Sequence, residues 1–182
     1  MAEACSTEIR LPIQKVAPDA IRLERVLDAP VETVWRYLTE AELRQTWFMG
    51  GTDATAGGSF DLIVDHDRLS TDQVPYPEGY ARFKGAVWTE QVVRFEPPRL
   101  LETTFQGGKG GNVTYELYAE DGKTRLVLTH SNITSPSGFQ DFGGGWTSHL
   151  AVLEEKLAGR GVRNFWEIHA RSKEAVRKAL EG

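Results

Sequence analysis

The sequence predicts an α+β domain, because strand patterns joined by short turns fill its middle and helical patterns fill its last third. Asp121-Gly122 separates two strand-like segments and is typical of a β-hairpin turn. Apolar residues recur at intervals of three and four from Phe139 to Leu157, which predicts one long helix. We therefore expect an antiparallel, meandering sheet followed by a long helix.

Before the sheet proper, the pattern predicts an arm, a strand and two short helices. Residues 1–19 are interpreted as an N-terminal arm with a strand at Ile9–Ile13, and Ile21–Leu27 as the next strand. Pro30 suits the first turn of a helix, where its missing N–H has no partner to lose. Thr39, followed by a glutamate three residues on, matches a capping box that would begin the second helix.

The middle of the chain alternates apolar and polar residues as strands do. The predicted strands are Ser59–Asp65, Tyr80–Phe95, Leu100–Gln106, Asn112–Ala119 and Thr124–Ser131. Residues 107–111 are rich in glycine but lack the Lys-Ser/Thr ending of a phosphate-binding loop, so they predict a hairpin. His66–Gly79 contains two prolines and is interpreted as a loop or lid.

Glycines lie within the predicted long helix and at its C-terminal end. Gly143–Gly145 interrupt the long apolar stripe, and each costs about 1 kcal/mol relative to alanine inside a helix. Either the helix begins after them, or they allow a ligand or a strand to approach closely. Gly159 and Gly161 end the helix, and a further helix from Arg163 to Leu180 is expected within residues 159–182, its basic side chains forming a solvated face.

Composition excludes several classes of function. Lys and Arg number 21 against 26 Asp and Glu, a net charge of −5, which disfavours binding to nucleic acid. No stretch approaches the roughly 20 apolar residues of a membrane-spanning helix, so no integral membrane association is expected. Cys5 is the only cysteine and cannot form an internal disulfide. With no secretory signal pattern at the start, the predicted location is cytoplasmic.

Residues 20–158 resemble bacterial proteins similar to the activator of the heat-shock-protein-90 ATPase. The segments that carry the resemblance are Leu27-Asp28-Ala29-Pro30, Val34-Trp35, Trp47-Phe48, Gly57-Gly58-Ser59-Phe60, Phe95-Glu96-Pro97-Pro98-Arg99-Leu100, Leu126 to Ser131, and Gly145-Trp146 with Leu150 and Leu153. The resemblance implies the START-like (SRPBCC) helix-grip fold of the Bet v 1 type. In that fold a curved antiparallel sheet wraps a long C-terminal helix, and an apolar cavity lies between them.

The chain departs from the short family pattern in three places. These are the N-terminal arm, the insertion at His66–Gly79 and the additional C-terminal helix. The additions could cover the mouth of the cavity or form a dimer contact. The separate chaperone-binding domain of the true co-chaperone has no counterpart in residues 1–20.

The cavity hypothesis selects aromatic, apolar and histidine side chains that would face a common interior. The ten candidate ligand contacts are Trp47, Phe60, Trp88, Phe105, Tyr115, Leu128, His130, Phe142, Trp146 and His149. Leu126, Leu128 and His130 share one face of a strand, because side chains alternate along it. The alternative is that these side chains only fill the core.

Among the candidates, His130 has the side chain best suited to proton transfer or to orienting a ligand. It could orient a ligand or act as a general base near neutral pH, or it could be a structural histidine hydrogen-bonded to the backbone, Ser131 or Asn132. Asp65 and Asp67 would point away from His66 in an extended segment, so no metal site is predicted. No Gly-x-Ser-x-Gly elbow is present, and neither a catalytic residue nor a cofactor is predicted.

The functional prediction is a domain that binds a small hydrophobic molecule. Association of two copies into a homodimer is a further prediction. Two alternatives stay open. One is a cyclase- or hydrolase-type enzyme that uses the same cavity, with His130 or Tyr115 moving protons. The other is a protein-interaction domain of a stress-related, co-chaperone-like kind.

Overall fold

The computed structural model describes residues 7–181. Its strands are β1 (Ile13–Ala17), β2 (Ala20–Leu27), β3 (Gly50–Gly51), β4 (Ser59–Ile63), β5 (Val87–Glu96), β6 (Leu100–Thr104), β7 (Asn112–Glu120) and β8 (Lys123–Ser131). Its helices are α1 (Val31–Thr39), α2 (Ala41–Arg44), α3 (Glu78–Ala81), α4 (Gly138–Leu157) and α5 (Phe165–Glu181), with a 3-10 turn at His66–Leu69. Cys5 lies outside the described residues.

The strands form one curved sheet of eight strands in the order β1-β2-β8-β7-β6-β5-β4-β3. Every pairing between neighbours is antiparallel. With the long helix α4 following the sheet, this confirms the predicted α+β class. β1 lies within the predicted arm but pairs with β2 through a tight turn, and it occupies Ile13–Ala17, so the strand predicted at Ile9–Ile13 was placed too early.

Alternation along the strands places the core between the sheet and α4. In the central register Leu23 pairs with Leu128, and Leu128 pairs with Tyr115, so all three side chains share the inner face. Trp146 and Leu150 on α4 are buried against this face. The periodicity of the sequence therefore located the core correctly.

The first two helices follow the predicted order but use different caps. The carbonyl of Pro30 accepts the N–H of Val34 at 3.1 Å, which begins α1. The capping-box prediction is wrong, because Thr39 is the last residue of α1 and its hydroxyl donates to the Trp35 carbonyl at 2.9 Å. The first N–H of α2, from Ala41, is instead accepted by the Asp53 carboxylate at 2.7 Å.

The segment between β4 and β5 is more ordered than a simple loop. The strand predicted from Tyr80 begins only at Val87, because Tyr80 and Ala81 donate their backbone N–H groups to the Pro77 carbonyl at 2.9 and 3.0 Å and form the short helix α3. We call residues 64–86 the covering segment. It packs against the start of α5, where Thr71 donates its N–H to the Val162 carbonyl at 2.8 Å.

The glycines inside α4 mark close packing of neighbouring elements. A Cβ added at Gly143 would lie 2.6 Å from Ile13 Cδ1 and 3.0 Å from Val176 Cγ1, and one at Gly144 would lie 2.6 Å from Lys173 Cγ. The helix runs through all three glycines, so the interpretation that it begins after them is wrong. Glycine here lets β1 and α5 pack directly on α4. None of the helices within residues 7–181 is long and apolar enough to cross a membrane.

Candidate functional site

A pocket of about 540 Å³ lies where the first half of α4, the start of α5, the covering segment and the ends of β5 and β6 meet. Its lining is dominated by aromatic rings: Phe48, Tyr76, Tyr80, Phe83, Trp88, Phe105, Phe142, Trp146 and Trp166. The charged side chains in the lining, Arg82 and Asp141, are both exposed, whereas His66 and His149 are buried. The pocket therefore has an aromatic wall, a charged mouth and an uncharged polar interior.

Half of the ten predicted contacts line this pocket. They are Trp88, Phe105, Phe142, Trp146 and His149. The other five, which are Trp47, Phe60, Tyr115, Leu128 and His130, are buried in the core outside the pocket lining. Trp47 illustrates the difference, since it is 1% exposed and its indole N–H donates to the Tyr37 carbonyl at 2.9 Å. As ligand contacts, all ten stay predictions.

His130 has no hydrogen-bonding capacity to spare. Its Nε2 lies 2.6 Å from the Gly110 carbonyl, and a carbonyl only accepts, so Nε2 carries the proton. Its Nδ1 then accepts the indole N–H of Trp146 at 2.9 Å. Burial lowers the pKa of His130 to about 4, which keeps the ring neutral at physiological pH. The geometry supports the structural alternative, with a backbone partner.

Sequence reasoning missed the pocket residues that come from the additions to the family pattern, among them His66, Trp166 and His169. His66 lies in the covering segment, at the start of its 3-10 turn, and Trp166 and His169 lie on the first turns of α5. His66 stacks on Trp166 with ring centroids 5.4 Å apart, and the Tyr76 ring lies 4.9 Å from Trp166 and 6.2 Å from His66. Tyr76 is the only phenylalanine, tryptophan or tyrosine of the insertion, so the composition of the insertion gave no signal of a pocket wall.

A chain of hydrogen bonds ties the covering segment to both long helices. The Lys173 ammonium donates to the Tyr80 hydroxyl oxygen at 3.3 Å, and the Tyr80 hydroxyl donates to Nε2 of His169 at 2.9 Å. His169 Nδ1 donates to the Ser148 oxygen at 3.1 Å, since the Ser148 hydroxyl proton is committed to the Gly144 carbonyl at 2.9 Å. These hydrogen bonds hold α3 against α4 and α5.

The histidines of the pocket are neutral at physiological pH. Burial lowers the pKa of His66 to about 4 and that of His169 to about 4, with the positive charge of Lys173 adding to the effect on His169. Burial also lowers the pKa of His149 well below its ordinary value. Within residues 7–181, no group of three or more His, Cys, Asp or Glu side chains is arranged to hold a metal ion.

The curved sheet, the long C-terminal helix and the aromatic pocket beside it define a START-like helix-grip domain. The chain belongs to the family of activator of Hsp90 ATPase homolog 1-like proteins, whose model matches residues 28–158. Trp166 and His169 lie beyond the matched residues. The pocket therefore combines residues of the matched segment with residues from beyond it.

Comparison with solved structures agrees with this assignment. The chain is similar to the solution NMR structure of the protein encoded by gene BPP1335 from Bordetella parapertussis, with 35% identity, a TM-score of 0.74, and 90% of this chain and 87% of that chain covered. It is also similar to the crystal structure of CalU16 from Micromonospora echinospora, with 25% identity, a TM-score of 0.65, and 90% and 89% covered.

A third structure shows the same fold at lower identity. It is the conserved protein of unknown function EF2215 from Enterococcus faecalis, with 20% identity, a TM-score of 0.61, and 92% of this chain and 91% of that chain covered. A search of curated proteins gave no match.

Proposed function

We propose that this protein binds a small hydrophobic molecule in the pocket beneath the covering segment. The observation that carries the proposal is an aromatic pocket of about 540 Å³ with uncharged histidines in its interior. Ligand sites are typically concave, lined by apolar and aromatic side chains with a few polar groups, and about 300–1,000 Å³ in volume. The pocket has each of these properties.

The proposed site differs from the expected cavity in its position. The space between the centre of the sheet and α4 is filled by side chains, among them Leu128 and Trp146. The pocket lies toward the side of α4 that faces α5, and the covering segment supplies its outer wall. Binding energy would come from burial of apolar ligand surface, at about 25 cal/mol per Å² before the costs of association.

The alternative functions have weaker support. Proton transfer by His130 or Tyr115 would require these side chains to meet a substrate, but neither lines the pocket. Burial also raises the pKa of Tyr115 above its ordinary value, which makes its hydroxyl a poorer acid. A homodimer, a co-chaperone-like role and a cytoplasmic location stay predictions.

Gly145 offers a direct test of the pocket. It lies on α4 in the pocket lining, and a Cβ built there would meet no atom within 4 Å. Gly145→Leu should therefore fill the pocket without a clash, and leucine also favours helix over glycine. Lys156→Leu adds the same side chain to the same helix away from the pocket lining and serves as the matched control.

The assay is a titration with 2-methoxynaphthalene followed by tryptophan fluorescence, alongside native mass spectrometry of the protein purified from its own host. We expect saturable binding by the unmodified protein and by Lys156→Leu, and loss of binding by Gly145→Leu. Equal binding by Gly145→Leu would place the ligand elsewhere. Absence of binding by all three proteins, with no co-purified mass, would overturn the proposal.

A further inference from the structure

One wall of the pocket presents a hydrogen-bond acceptor that has no partner. Nδ1 of His149 lies 2.9 Å from the carbonyl oxygen of Trp47. A carbonyl oxygen can only accept, so Nδ1 carries the ring proton and Nε2 holds a lone pair in the neutral ring. Within residues 7–181, Nε2 of His149 receives no hydrogen bond, although the ring is only 5% exposed.

The other buried histidines show that this spare capacity is not general. Both ring nitrogens of His130 are hydrogen-bonded, and so are both ring nitrogens of His169. His66 packs edge-on against His149 with ring centroids 5.0 Å apart, and its own Nδ1 is enclosed without a partner among the described residues. Among the buried histidines, an unpartnered ring nitrogen is therefore found at His149 and at His66, and both residues line the pocket.

The side chains around His149 favour a planar ligand. The rings of Phe48 and Phe165 lie 4.9 and 4.8 Å from the His149 ring, and Trp146 continues the same wall, 5.1 Å from Phe48. Phe48, Trp146 and His149 all line the pocket, so a planar ring placed there can pack edge-on or offset-stacked against them. A saturated, flexible chain would gain apolar burial here but not this geometry.

The charges around the pocket disfavour an anionic group at its interior. The charged side chains of the lining are Arg82 and Asp141, both exposed, and Asp141 is already paired with Lys173 at 3.0 Å. A carboxylate brought against His149 would meet a lone pair and lose its hydration without a cation to replace it. A neutral O–H donor would satisfy Nε2 and carry no such cost.

We propose that the ligand is a flat aromatic molecule bearing a hydroxyl group, and that Nε2 of His149 accepts the hydrogen bond from that hydroxyl. The inference rests on the proposed function and names the ligand class of the same pocket. His149 acts as a specificity-determining residue, since it favours a phenol-type ligand over the same ring system without a donor.

A pair of matched ligands tests the inference. 2-Naphthol and 2-methoxynaphthalene share the same rings, but only the former donates a hydrogen bond. We expect the unmodified protein to bind 2-naphthol about 3- to 10-fold more tightly, the range expected for one buried hydrogen bond. His149→Asn keeps an N–H near the Nδ1 position for the Trp47 carbonyl and removes the Nε2 acceptor, so the preference for 2-naphthol should disappear.

Each outcome decides between the two proposals. Equal affinity of the unmodified protein for both compounds would overturn the inference and leave the proposed function standing. A preference that persists in His149→Asn would overturn the role of His149. Binding of neither compound would overturn the inference, and with no co-purified mass it would overturn the proposed function as well.

A measurement on the unmodified protein covers the case in which His149→Asn does not fold. Long-range ¹H–¹⁵N spectra of the imidazole rings should show His149 protonated at Nδ1, with the Nε2 resonance moving on addition of 2-naphthol and much less on addition of 2-methoxynaphthalene. Protonation at Nε2 in the free protein, or the same small shift with both compounds, would refute the inference.

Discussion

Replacing His130 with glutamine should flatten the dependence of folding stability on pH. The folded-state pKa of His130 is about 4, lowered by burial from the 6.5 of an exposed histidine. Between these values the unfolded chain binds a proton that the folded protein excludes. The free energy of unfolding is therefore highest above pH 6.5, where both states leave the ring neutral, and it decreases as the pH falls toward 4.

The size of the effect follows from the two pKa values. Between pH 7 and pH 5, a histidine whose pKa falls from 6.5 to about 4 on folding removes about 2 kcal/mol from the free energy of unfolding. His66 and His169 have similarly lowered values, so the unmodified protein should lose several kcal/mol over this range. His130→Gln should lose about 2 kcal/mol less than the unmodified protein over the same range.

The substitution also has a cost that does not depend on pH. Glutamine can still donate to the Gly110 carbonyl, but the indole N–H of Trp146 loses its acceptor, which costs about 1–3 kcal/mol. Trp146→Phe is the matched control, because it removes the same hydrogen bond and leaves the titrating ring in place. It should lower stability at pH 7 and keep most of the pH dependence of the unmodified protein.

The assay is urea unfolding at pH 7, 6 and 5 followed by circular dichroism, with the slope of each transition checked for two-state behaviour. Carboxylates titrate in all three proteins, so the differences between profiles isolate His130. Parallel profiles for His130→Gln and the unmodified protein would refute the reasoning. They would mean that the ring is protonated in the folded state or reaches solvent.

Two further predictions concern packing and a buried charge. Gly143→Ala should lower the free energy of unfolding by about 1–3 kcal/mol, because its Cβ meets Ile13 and Val176. Gly145→Ala has open space around its Cβ and should raise the free energy of unfolding by up to about 1 kcal/mol. Urea unfolding measures both changes, and equal effects of the two substitutions would contradict the prediction. Arg44→Met should destabilise the fold by about 3 kcal/mol or more, because the guanidinium is 3% exposed and donates to the carbonyls of Met49, Thr39 and Thr52. In thermal unfolding, Arg44→Lys should be more stable than Arg44→Met but less stable than the unmodified protein, since a single ammonium cannot reach all three carbonyls. Stability of Arg44→Lys equal to that of the unmodified protein would contradict the role of the guanidinium.

Part of the candidate site was predictable from the sequence. Periodicity placed Phe142, Trp146 and His149 on the inner face of α4, and the structure places all three in the pocket lining. The same reasoning selected Leu128 and His130, which share that interior but are enclosed by packing. Alternation along a strand or helix indicates which face is buried, but not whether the space opposite that face is filled.

The stacked pair that the sequence did not predict comes from segments that are distant in sequence. His66 and Trp166 stack on one another although they belong to the covering segment and to α5. Neither segment has a pattern that identifies the other as its neighbour, and His66 lies in a 3-10 turn at His66–Leu69, not in an extended segment. Only the packing of α5 against α4 brings them together.

The sequence alone determined the fold class, the order of elements and the inner face of the sheet, because these depend on short-range periodicity and turn chemistry. The tertiary structure decided which histidines have a free nitrogen. The acceptor of the His149 proton is a backbone carbonyl 102 residues away, and the donor to His130 is an indole 16 residues away. A hydrogen bond fixes a tautomer only when its partner is in place, and no local pattern encodes a partner at such a distance.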